Sequence, residues 1–157
     1  MTSRSEELKD RLTAELTTLQ ALWKALQAEE KALLGNAVDA LEDATRTKNA
    51  ALLAHRDSQQ LRLRWTTEAG LATDLPLSQL ITEVSTDISL EALVNDLAEL
   101  ASRCQDANRR NGGLILRLQD HTRGALQVLR GDTPEPDVYS LSGAQERRVD
   151  GKSLGKA

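Results

Sequence analysis

Residues 89–130 read SLEALVNDLAELASRCQDANRRNGGLILRLQDHTRGALQVLR. Apolar side chains recur at Leu90, Leu93, Val94, Leu97, Leu100, Ala101 and Cys104. After a polar interval they resume at Leu114, Ile115, Leu118, Ala125, Val128 and Leu129. Steps of three and four are the period of an α-helix with one buried stripe. No proline interrupts the run. At the rise of an α-helix, about 40 residues span roughly 60 Å. That length belongs to a long bundle or coiled-coil helix, and the rest of the chain must cover its stripe.

The remaining sequence is suited to that task. The chain has 157 residues, the size of one ordinary domain. Its aromatic content is only 2%, from Trp23, Trp65 and Tyr139, with no Phe. Ala and Leu dominate the apolar set, and both favour helix. Strands favour β-branched and aromatic residues, so an all-β reading is excluded. The three prolines are Pro76, Pro134 and Pro136, and two of them lie near the C-terminus.

A first helix is predicted over 3–34, with Ser3 or Ser5 as its cap and Glu6 and Glu7 near its positive end. Its stripe is Leu8, Leu12, Leu16, Leu19, Trp23, Leu26, Glu30 and Leu33, a spacing close to a heptad. Gly35 is expected to stop this helix and Asn36 to cap the next, over 36–69. The second stripe is more polar: Val38, Leu41, Thr45, Lys48, Leu52, His55, Leu61, Arg62 and Trp65. Such a seam suggests long side chains laid along a partner helix with their heads in water. The short turn makes the two helices antiparallel neighbours. A short helix over 77–85 follows Pro76, and the long helix runs over 89–130. The expected fold is therefore all-α, an elongated bundle of three long helices and one short one with left-handed, coiled-coil-like packing. Residues 1–130 form the bundle, and 131–157, rich in Gly, Ser, Pro and charge, read as a flexible tail.

Several chemistries have no footing in the sequence. The net charge is −4, and neither sign dominates any segment. A nucleic-acid surface or a polybasic membrane anchor needs a basic stripe. No run of apolar residues is long enough to span a bilayer, and the polar N-terminus lacks a signal-peptide core. The single Cys104 cannot form an internal disulfide, which suits a reducing, cytoplasmic setting. Metal-binding, phosphate-binding and di-iron helix motifs are absent, so no catalytic, cofactor or metal residues are assigned. Cys104 lies on the apolar stripe and reads as a small core residue. His55 and His121 read as packed or surface residues, with a histidine phosphotransfer domain as the rival reading. Glu6, Glu7, Glu29 and Glu30 read as a solvated face. Gly112 and Gly113 sit inside a helix, where each costs roughly 1 kcal/mol relative to Ala. They read either as a kink or break, or as a place where another backbone comes close.

The run NRRNGGLILRL (residues 108–118) resembles the last long helix of the FlgN family, with Asn108 and Asn111 ahead of a Leu/Ile pair. The segment VYSLSGAQ (residues 138–145), with Tyr139 and Gly143, resembles that family's tail. The layout agrees elsewhere: Glu29 before LLGNAVDAL, then Lys48, then QLRLRW ahead of Gly70. The resemblance implies a cofactor-free cytoplasmic chaperone of flagellar type III export. Its clients are the C-terminal segments of hook-associated proteins, which it keeps unpolymerised and delivers to the export apparatus. It implies a client-binding surface that includes Asn108 and Asn111, and a tail contact with the membrane export gate, assigned by position to Tyr139.

An apolar stripe longer than its cover is also what a helix binder needs. Burying one Leu contributes about 1.5–3 kcal/mol. A few client side chains on Leu114, Ile115, Leu118, Leu126 and Leu129 would then offset the ordering cost of a disordered segment, about 2–5 kcal/mol. Taken singly, each of these leucines reads equally as bundle core. The alternative class is a coiled-coil adaptor or structural homodimer joined by the first-helix seam.

Overall fold

A computed structural model describes residues 3–132 of the chain. Every regular element among the described residues is helical: α1 (Arg4–Leu34), α2 (Val38–Glu68), α3 (Leu77–Val84) and α4 (Ile88–Leu129). The fold is an all-α bundle of three long helices and one short one. The chain divides into two units, Met1–Asp120 and His121–Ala157.

Local chemistry explains the helix ends. The Ser3 hydroxyl accepts from the Glu6 N–H at 3.2 Å, and the Glu6 carboxylate accepts from the Ser3 N–H at 2.8 Å. This reciprocal capping box satisfies two otherwise orphaned donors. The α1–α2 turn differs from expectation. Gly35 stays right-handed at φ −88°, and Asn36 takes the left-handed conformation at φ 50°. Asn is among the few residues that tolerate that region. Asn36 therefore closes α1 and does not cap α2, whose first turn has no side-chain cap. At the start of α4, Asp87 accepts from the Ser89 N–H at 2.9 Å and the Ser89 hydroxyl at 2.8 Å.

The seams keep strict heptad spacing. On α1 the buried stripe is Leu8, Leu12, Glu15, Leu19, Leu22, Leu26, Glu29 and Leu33. The facing stripe of α2 runs through Ala44, Lys48, Ala51, His55, Ser58, Arg62, Trp65 and Ala69, all buried or half-buried. In α4 it runs through Leu90, Leu93, Leu97, Leu100, Cys104, Ala107, Asn111, Leu114 and Leu118. Steps of four and three keep each seam on one side of its helix. The shared core joins leucines of α1 to Ala51, Trp65, Ile81, Leu90, Val94, Leu97, Cys104 and Ala107.

Polar residues interrupt these seams at intervals. Trp65 Nε1 donates to Glu7 at 2.7 Å, Arg62 pairs with Glu15 at 2.5 Å, and Lys48 pairs with Glu29 at 2.7 Å. Residue numbers rise along α1 as they fall along α2, which fixes the antiparallel register. The acids of α1 are thus not one solvated face. Glu29 is only 1% exposed and Glu15 only 3%. Nor are the heads of Lys48 and Arg62 in water, because each neutralises a buried carboxylate.

α4 runs unbroken through Gly112 and Gly113. A Cβ built at either glycine meets nothing within 4 Å. Of the two readings left open by the sequence, a break is absent, and among the described residues nothing lies where a Cβ at either glycine would bring it into contact.

Candidate functional site

Lys48 and Asn111 reach Glu29 from different helices. Lys48 Nζ donates to Oε1 at 2.7 Å, and Asn111 Nδ2 donates to Oε2 at 2.9 Å. Asn111 Nδ2 also donates to the Leu26 carbonyl at 3.0 Å. Both amide protons are then used, which settles the amide orientation. Asn111 Oδ1 remains buried with no donor. This cluster ties α1, α2 and α4 together at one level. Next to it, Arg110 lies 3.6 Å from Glu30.

Above the cluster lies a groove of about 500 Å³. Leu19, Leu22 and Leu26 of α1 form its floor. Lys48, Leu52 and His55 of α2 form one wall. Ala98, Ala101, Ser102, Gln105 and Asn108 of α4, with Cys104 below them, form the other. Leu52 remains 46% exposed there. The Thr18 hydroxyl lies 2.9 Å from the Glu15 carbonyl and 3.0 Å from His55 Nδ1, within hydrogen-bond reach of both. His55 is half-buried and engaged; His121 is exposed. Cys104 is buried, and desolvation pushes its thiol pKa up. An uncharged thiol beneath an aliphatic floor fits a packing role.

The residues singled out from the sequence do not share one environment. Asn108 is exposed and lines the groove; Asn111 is 1% exposed and faces α1. Leu114, Ile115 and Leu118 are half-buried. In the second unit, Leu126 is 48% exposed and Leu129 is 83% exposed. Tyr139 lies outside the described residues. Sequence reasoning missed Ala98, Ala101 and Gln105 as a wall, and Leu52 and His55 as its counterpart. The available signal was a second heptad series beside the first, Ala98, Ala101, Gln105, Asn108 and Gly112.

Among the described residues, no group of three or more His, Cys, Asp or Glu could hold a metal ion. No helix among them is long and apolar enough to cross a membrane.

Comparison with protein families adds one finding: the family described as FlgN protein matches residues 1–147. Neither curated proteins nor solved structures give a match.

Proposed function

Because the chain belongs to the FlgN family, and so is a chaperone of flagellar hook and filament proteins, we propose that it acts in the cytoplasm on the C-terminal segments of the hook-associated proteins. It holds these segments unpolymerised and delivers them to the type III export apparatus. The observation that carries this reading is the family match across residues 1–147. The apolar end of α4 supports it, since Leu126, Val128 and Leu129 are exposed there. Such side chains suit an amphipathic partner segment.

The proposed client contacts are Asn108, Leu114, Ile115, Leu118, Leu126 and Leu129, with Asn111 holding α4 to α1 behind them. The export-gate contact is Tyr139. No cofactor is required for either step.

Two substitutions separate the two steps. Leu129→Asp places a charge on an already exposed position, so helicity should be unchanged while a hook-associated C-terminal fragment no longer co-elutes. Tyr139→Ala should leave co-elution intact and reduce motility. Normal binding by Leu129→Asp would remove the end of α4 from the client surface. Normal motility of the Tyr139→Ala strain would remove the tail contact.

A further inference from the structure

The groove over Leu19, Leu22 and Leu26 has the form of a three-helix scaffold lacking its fourth helix. α4 carries two adjacent heptad series. One meets the core from Leu90 to Ala107. The other, Ala98, Ala101, Gln105, Asn108 and Gly112, is exposed at every position. A helix with two adjacent seams is built to touch two neighbours, as in four-helix bundles. The second seam has no neighbour among the described residues of Met1–Asp120. Its small side chains, and the open space above Gly112, would let another helix approach closely.

We propose that this groove is the docking slot for one amphipathic client helix of about three turns, which completes a four-helix bundle with α1, α2 and α4. This rests on the chaperone reading above and adds to the α4 contacts proposed there a second place, which shares only Asn108 with them, where part of the client is bound as a helix.

The lining chemistry specifies the occupant's buried face. No carboxylate lines the groove. Its one fixed cation, Lys48, is already matched by Glu29, and His55 Nδ1 is engaged with the Thr18 hydroxyl at 3.0 Å. A charged face entering the slot would meet no counter-charge and would be desolvated. The complement is therefore an uncharged aliphatic face, able to cover Leu52 and to meet Gln105 and Asn108 at its edge. A second folded copy offers no such face on α2. There Leu53, Leu61 and Leu63 are exposed but interleaved with Arg56, Asp57 and Arg64.

Two adjacent leucines make the test. Leu52 lines the groove and Leu53 does not, yet both are exposed, at 46% and 60%. The full-length chain carrying Leu52→Glu or Leu53→Glu is titrated calorimetrically with the C-terminal fragment of a hook-associated protein. Circular dichroism checks the fold of each variant. Leu52→Glu should bind about tenfold to a hundredfold more weakly, the equivalent of one lost buried leucine. Leu53→Glu should bind like the unsubstituted chain. Ala101→Trp, which fills the slot from the opposite wall, should weaken binding similarly, and it carries the test if Leu52→Glu fails to fold. Equal affinity for all three variants would overturn the slot while leaving the chaperone reading intact. Weakening by the groove substitutions of self-association alone, with fragment binding unchanged, would also overturn it and assign the groove to a second copy. Absence of fragment binding by the unsubstituted chain would overturn the chaperone reading and the slot with it.

Discussion

Glu29 is held between Lys48 of α2 and Asn111 of α4. Removing its carboxylate would strand a mostly buried ammonium and one amide proton of Asn111, whose other proton keeps the Leu26 carbonyl. Glu29→Ala is therefore expected to cost about 3 kcal/mol or more in urea unfolding. Removing both charges together, as Glu29→Leu with Lys48→Met, should recover most of that loss, because the desolvation penalty goes with them. By contrast, Asp43→Ala should change stability by about 0.5 kcal/mol or less, since its pair with Arg46 lies in solvent. Asp87 gives a pH-dependent counterpart. Hydrogen bonds from the Ser89 N–H and hydroxyl hold its carboxyl below the ordinary value of 3.8. A lowered folded pKa means its contribution is complete above the unfolded value and lost as pH falls through the folded one. An NMR titration should show Asp87 protonating below the ordinary aspartate value, and Ser89→Ala, which keeps the N–H and removes the hydroxyl, should move it part of the way back up. An unchanged Asp87 titration in that variant would contradict the capping account.

At the scale of the helix, α4 carries an internal oddity in Gly112 and Gly113. Both are helical and both face open space. Gly112→Ala and Gly113→Ala should each stabilise the isolated chain by about 1 kcal/mol, because Ala loses less backbone entropy in a helix. Thermal unfolding measures this, and a loss of stability would mean that a neighbouring backbone occupies the space. The sequence made the helices legible, because Leu and Ala recur with helical period and little else competes. The seam of α1 was misread for a specific reason. Preferring Leu16 to the charged Glu15 shifted the phase by one step, and the same four-three spacing then led to Trp23 and Glu30, which are half-buried. The four-three series that starts from Leu8 passes through Glu15, Leu22 and Glu29, and these three are the buried ones. Hydrophobicity alone could not show that Arg62 and Lys48 sit opposite to neutralise them. The same blindness hid the groove wall, since Ala98 and Gln105 are too small or too polar to register as a stripe and Ala101 reads as part of the first one. Asn111 stands out in the sequence beside Gly112 and Gly113 and in the family resemblance as a client contact, but neither signal shows that its buried amide crosses to the Leu26 carbonyl.

For the whole molecule, family membership and the helical scaffold point the same way. Buried polar ties hold α1, α2 and α4 in one register, and polar groups at heptad positions are a known means of specifying register at some cost in stability. In that register the groove between α2 and α4 is open, and Leu126, Val128 and Leu129 are exposed. A chaperone for segments that are unstructured before assembly needs that combination of a fixed frame and uncovered apolar positions. The most direct measurement is the heat of binding between the full chain and a hook-associated C-terminal fragment, taken at several temperatures. Micromolar or tighter affinity with a negative heat-capacity change is expected, because apolar surface is buried as the segment orders. A folded, helical chain that releases no heat and shows no binding at any temperature would contradict the account.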